Sequence, residues 1–162
     1  MSKIAAGGKI DCHKKDGVIG AVIKYQDKNC ILTSYHILRA GKCVLGDIVH
    51  LDGHKGRIIE ILWDHDLGII ETNAPPSEIE FSQIGKAEIG PAYSLNGTKR
   101  TSCNIMTVGE TYHYLSFPFI SIPLPGDSGS PIIQNERVVG VLASIFYSNA
   151  TGIAIAIEKF RI

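Results

Sequence analysis

Glycine and proline interrupt this chain so often that its apolar segments are all short, and that punctuation limits the fold more than any other feature. There are 17 Gly and 7 Pro in 162 residues. Between them lie VIGAVIKY (18–25), CILTSY (30–35), DIVHL (47–51), GRIIEIL (56–62) and DLGIIE (66–71), all rich in β-branched residues. Such side chains suit a pleated strand. QDKN, LDGHKG and WDHD fall between them as turn signals. No window carries a clear helical period outside the last few residues, and no apolar stretch reaches membrane-spanning length.

TNAPPSEIE (72–80) breaks the pattern with a Pro-Pro pair and reads as a linker. Beyond it the theme resumes at 91–97, 101–109, 112–119, 130–134, 137–146 and 152–157. Pro118 marks its segment as an edge or a bulge, because proline cannot donate to a ladder. Many short strands at regular spacing predict an all-β protein, a sandwich or a pair of barrels. The expected division is residues 1–74 and 75–162.

Acidic and basic residues balance at 16 each. A neutral chain has no global attraction for nucleic acid or an acidic membrane, so neither is expected as a partner. MSKIAAGGKIDCHKK lacks the apolar core of a signal peptide, and a cytoplasmic protein with reduced thiols is expected. Of the four cysteines, Cys30 and Cys43 are expected to be buried free thiols. Cys12-His13 and His50-x3-His54 offer metal-ligand types. The turn LDG between His50 and His54 breaks the helix that an i, i+4 pair needs, so no metal and no cofactor is expected.

PLPGDSGSP (123–131) is either a plain turn or a turn that presents a nucleophile. A serine hydroxyl is a weak nucleophile and needs a base and an oxyanion site. Gly126 lets the backbone turn its N–H groups toward a developing charge, so Gly126 and Ser128 are the candidate oxyanion donors. Gly129 leaves room for a substrate carbonyl and permits unusual dihedrals. GDSGSP resembles the nucleophile motif of the chymotrypsin-like serine proteases, nearest to the short, loop-poor bacterial and viral trypsin-like peptidases. The resemblance implies a histidine first, then an acid, then the serine. ILTSYHIL (31–38) supplies His36 and WDHDLGII (63–70) supplies Asp66. Asp66 fits better than Asp64 because DLGII runs straight on from it, and Asp64 reads as a surface turn acid. His65 next door would point to the opposite face of a strand.

The resemblance implies two antiparallel Greek-key six-stranded barrels with the site in the cleft between them. It also implies a serine endopeptidase acting on a protein or peptide through His36, Asp66 and Ser128. In that family the residue six before the serine lines the base of the primary pocket, which is Ile122 here. There is no acid at this position for a basic side chain, and GVLAS (140–144) holds no histidine to read Glu or Gln. An apolar pocket is therefore expected, walled by 120–125, 142–146 and 152–154, with Ile122, Pro125, Leu142, Ala143, Ser144 and Ile145 against substrate. Residues near 143–145 are expected to pair with an extended substrate, and Ser144 to help hold Asp66. KIAAGG (3–8) faintly resembles a freed N-terminus that pairs with the acid before the serine. The stronger expectation is that Asp127 has another partner. Other readings are a catalytically silent module that binds through the cleft, and a self-processing protease of viral or phage type. A regulatory partner is compatible with all three.

Overall fold

In the computed structural model, which describes residues 3–161, thirteen strands and one short helix form two packed β units. The first unit contains β1 (Lys9–Cys12), β2 (Lys15–Val18), β3 (Ala21–Tyr25), β4 (Lys28–Ser34), the helix α1 (Tyr35–Ala40), β5 (Ile48–Leu51), β6 (His54–Leu62) and β7 (Leu67–Thr72). The second contains β8 (Gly90–Asn96), β9 (Lys99–Thr107), β10 (Tyr112–Ser116), β11 (Pro131–Gln134), β12 (Arg137–Phe146) and β13 (Thr151–Ala156).

β8 to β13 close into a six-stranded barrel in the order β10-β13-β12-β11-β8-β9. The first unit differs from the six strands expected. It is a seven-stranded antiparallel sheet in the order β2-β1-β5-β6-β7-β4-β3, curled but with β2 and β3 at its two ends. The reason lies at Ile19-Gly20. The expected strand 18–25 bends there, so that β2 pairs with β1 while β3 pairs with β4. A Cβ on Gly20 would lie 2.7 Å from Val141 Cγ2 and 2.9 Å from the Gly129 carbonyl oxygen. The bend therefore brings the first unit's backbone against the second.

Three apolar clusters account for the packing. One fills the curled sheet around Ile10, Val22, Ile31, Leu51 and Ile70. Another fills the closed barrel around Ile105, Leu115, Phe117, Ile132 and Leu142. The third joins the units, with Leu32, Leu67 and Ile69 against Val138, Val141 and Ile155. Burial of that shared face holds the two units in one orientation. Between them the chain forms a 3-10 turn at Pro76–Glu78 and a parallel bridge from Ile79 to Ile4. The last few residues form a 3-10 turn, Glu158–Phe160, rather than an α-helix. Pro118 lies beyond the end of β10, and the bulge falls earlier, in the β9–β10 pairing at Tyr114/Leu115.

The cysteines correct the expectation for Cys43. It is bonded to Cys12, with Cα atoms 6.3 Å apart, while Cys30 and Cys103 are free and buried. The short strand β1 was not anticipated, and it is β1 that carries Cys12 to the segment following α1. Burial pushes the Cys30 thiol up to about 11 and the Cys103 thiol up to about 12, so both are inert packing groups at neutral pH. His50 and His54 lie on the two strands of a β hairpin, and His54 pairs with Glu78 at 3.4 Å.

The crosslink spans a sequence separation of 31. Replacing Cys12 and Cys43 together by Ala should cost about 3–4 kcal/mol in denaturant unfolding, from the freedom returned to the unfolded chain. His113 is buried in the closed barrel, where its Nδ1 accepts from the Gly109 N–H at 3.2 Å. Burial lowers its pKa below 6.5, so the folded state keeps it neutral. Below that pH the unfolded chain binds the extra proton, and stability falls as pH is lowered. His113→Gln should flatten this acid slope in melting curves between neutral pH and pH 5.

Candidate active site

β4 and β7 run antiparallel side by side, with Ser34 opposite Leu67. The residues just beyond that pair, on α1 and on the turn before β7, are therefore brought to one end of the sheet. Ser34 is the N-cap of α1 and its Oγ accepts the His36 N–H at 3.3 Å. The same hydroxyl donates to Asp66 Oδ2 at 3.2 Å. His36 Nδ1 meets Asp66 Oδ2 at 2.5 Å. Asp66 follows the 3-10 turn Trp63–His65 and sits in the left-handed region at φ 53°. Its carbonyl accepts the Tyr35 N–H at 2.8 Å, so backbone and side chain alike tie it to the first turn of α1. Tyr35 packs edge-on against Trp63 at 4.8 Å, and the Tyr112 hydroxyl crosses from β10 to donate to the Asp64 carbonyl at 3.1 Å.

Ser128 ends a 3-10 turn over Pro125–Asp127. Its position relative to α1 is set by its neighbour. Gly129 has φ +90°, and a Cβ there would lie 2.5 Å from both Thr33 Oγ1 and the Val18 carbonyl and 2.7 Å from Ile37 Cδ1. Only glycine lets the turn come this close to β2, β4 and the His36 helix. The Val18 N–H donates to the Ser128 carbonyl at 3.3 Å. On the other side Gly129 N–H donates to Leu142 O, and Leu142 N–H to Ser130 O, both at 2.8 Å. The serine turn is thus stitched to both units. The bonds of His36 run to Ser34 and Asp66, and none reaches the Ser128 hydroxyl among the described residues.

Asp127 is almost fully buried and its carboxylate is fully engaged. Asn96 Nδ2 donates to Oδ1 at 2.7 Å, while Lys99 Nζ at 3.3 Å and the Leu124 N–H at 2.7 Å reach Oδ2. The partner expected for this acid is therefore the β8–β9 hairpin. In the uncut chain Ile4 is buried and its N–H donates to the Glu78 carbonyl at 2.8 Å, so it is not the partner of Asp127 there.

The segment expected to supply oxyanion donors has an unexpected conformation. The Ser128 N–H donates to the Pro125 carbonyl at 3.3 Å, which closes the 3-10 turn. That N–H is not available to a ligand while the bond lasts. Of the expected substrate contacts, Pro125 is exposed and Ile122, Ser144 and Ile145 are partly exposed. Leu142 and Ala143 are buried, one in the barrel cluster and one in the shared cluster, so they shape the site from beneath. A register shift between Leu142 and Ser144 aims the next residues outward. Ser34, not Ser144, is the hydroxyl that bonds Asp66. At the expected pocket wall, a Cβ on Gly152 would lie 2.9 Å from Phe117 Cε2 and 2.9 Å from the Ser144 carbonyl.

Neither a model of a known protein family nor any curated protein matches the sequence. Solved structures do match. A Nocardiopsis protease superposes with a TM-score of 0.70 at 14% identity, covering 96% of this chain and 92% of its own. Thermobifida fusca protease A gives 0.69 at 13% identity, with 96% and 91% covered. A glutamic acid-specific serine protease, described as using a histidine triad in substrate binding, gives 0.69 at 16% identity, with 94% and 92% covered.

The fold is chymotrypsin-like. The closed barrel and the curled sheet are its two halves, and the His36–Asp66 contact and the Ser128 turn meet at their seam. Sequence reasoning missed Ser34, Asn96 and Lys99. Only Ser34 left a signal, as a helix N-cap residue two positions before His36. Asn96→Ala should leave the Asp127 carboxylate short of one bond in a buried site. A loss of about 1.5–3 kcal/mol is expected in urea unfolding, whereas Thr98→Ala on the same hairpin should cost little.

Proposed function

We propose that this protein is a serine endopeptidase, with protein or peptide substrates. The observation that carries the reading is the 2.5 Å contact between His36 Nδ1 and Asp66 Oδ2 on the helix against which the Ser128 turn is packed. Asp66 engages Nδ1 and so leaves Nε2 of His36 as the proton acceptor. In the reaction Ser128 Oγ attacks the peptide carbonyl and its proton passes to Nε2. The amine leaves with that proton, and water then hydrolyses the acyl-enzyme by the same route. Asp66 holds the imidazole and stabilises its charged form. The N–H groups of Gly126 and Ser128 stabilise the oxyanion once the Pro125 carbonyl has turned away from Ser128.

The residue before the scissile bond is apolar in this reading. Ile122 and Ile145 flank the expected pocket, and Phe117 against Gly152 limits its depth. The names of the structural neighbours, all proteases, support the activity, and their low identity leaves the specificity to this chain's own residues.

One observation favours a second reading, a silent binding module: the bond from the Ser128 N–H to the Pro125 carbonyl removes an oxyanion donor. A fluorophosphonate probe separates the two. Labelling at Ser128 supports the enzyme, and its absence from folded protein supports the module. For the enzyme, Ser128→Ala and His36→Ala should each lower kcat by about 10⁵–10⁶-fold in a peptide-library assay. Cleavage unchanged in Ser128→Ala would sink the assignment.

A further inference from the structure

β3 is an edge strand, and part of its outer edge is already in use. The Ser82 N–H donates to the Val22 carbonyl at 2.8 Å, and the Val22 N–H donates to Ser82 Oγ at 2.9 Å. Backbone polar groups alternate along a strand, so Lys24 presents its N–H and C=O to the same side as Val22. No backbone partner reaches them there among the described residues. A cavity of about 640 Å³ opens at this edge, clear of the His36 and Ser128 elements.

The lining of the cavity is selective. Lys24, Arg137 and Arg161 border it with the rings of Phe81 and Phe160, and no Asp or Glu does. In a chain whose formal net charge is zero, that is a local excess of positive charge. The neighbouring cavity of about 560 Å³ shares Phe81 and Arg137 with this one and has Glu80 and Glu136 in its wall, whereas Lys24 and Arg161 border only the β3 side. A free strand edge supplies main-chain bonds, the two rings supply apolar contact, and the cations select negative charge. Phosphate or a nucleotide would answer the cations but leave the strand edge unsatisfied.

We propose that the cavity beside β3 binds an extended acidic peptide, which adds as a strand at Lys24. Its carboxylates face Lys24, Arg137 and Arg161, and its apolar side chains lie against Phe81 and Phe160. This site stands apart from the catalytic reading and needs no turnover.

The test uses the full chain with Ser128→Ala, so that no probe is cleaved. The probe is a fluorescein-labelled heptapeptide of alternating Glu and Val with a central Phe, read by anisotropy. Its controls are the same peptide with Lys for Glu, and two versions N-methylated on the odd or on the even residues. Saturable binding of the acidic peptide is expected, weakened at least tenfold by one methylated set and unchanged by the other, since only alternate N–H groups face the edge. Arg137→Glu and Lys24→Glu, each confirmed as folded by its melting curve, should each weaken binding at least tenfold. The proposal is overturned by absence of saturable binding or by equal binding of the Lys peptide. Equal effects of the two methylated sets, or binding unchanged in both charge variants, overturn it as well.

Discussion

The approach of Gly129 to the first unit is the contact on which the site depends. A side chain at 129 would collide with Thr33, with the Val18 backbone and with Ile37 of the His36 helix. Those three neighbours come from β4, β2 and α1, the elements that also place His36 and, through β7, Asp66. One glycine therefore fixes the distance between the Ser128 turn and the His36 helix. Gly20 makes the reciprocal approach, from the bend between β2 and β3 onto Val141 and the Gly129 carbonyl. The two glycines explain how separate β units share one site with little freedom between them. Apolar burial brings the units together, and the missing side chains let the backbones meet.

A second constraint is electrostatic. Asp127 lies between Gly126 and Ser128, and a buried carboxylate is tolerated only when its oxygens are bonded. Here they are, by a side-chain amide, an ammonium and a main-chain N–H. The Leu124 bond folds the carboxylate back onto its own turn, while Asn96 and Lys99 anchor it to a hairpin from a different part of the barrel. The tip of that hairpin is held in turn, since the Gly97 N–H donates to the Gly7 carbonyl at 2.7 Å. The conformation of the serine turn is thus tied to residues more than 25 positions away in sequence.

Much of this was legible in the sequence, for physical reasons that differ between elements. Eleven of the strands, β3 to β13, overlap the short apolar or aromatic segments that lie between turn signals in the sequence. β1 was hidden because Lys-Ile-Asp-Cys is only four residues long and its turn, His13-Lys14, adopts positive φ without a glycine. The helix α1 was hidden because six residues with buried Ile37 and Leu38 side by side show no 3.6 period, although Ser34 and Gly41 bracket it as caps. The motifs around His36, Asp66 and Ser128 could be read because each is local. The hydroxyl that Ser34 gives to Asp66 and the bonds of Asp127 could not, because Ser34, Asn96 and Lys99 reach their acids through strand register and hairpin placement, and the cap signal at Ser34 does not name Asp66. The Cys12–Cys43 pairing is of the same kind, because nothing in the spacing of four cysteines selects it.

The Pro125 carbonyl brings these constraints to bear on one peptide group. The bond it accepts from Ser128 closes a 3-10 turn whose geometry is poorer than that of an α-helix, and the 3.3 Å separation is long. Gly126 lies within the turn, with no atom within 4 Å of where its Cβ would be, and a glycine adopts either sign of φ at little cost, so the Pro125–Gly126 peptide is the least constrained part of the turn. Asp127 and Gly129 on either side cannot follow, being held by the β8–β9 hairpin and by the first unit. Rotation is therefore confined to one peptide group, and in the proposed reaction it exchanges a long internal hydrogen bond for a contact with an incoming oxyanion. A negatively charged acceptor forms the stronger bond of the two. On the proposed function, an extended substrate completes the site that the free turn leaves closed, with the rest of the scaffold already in place.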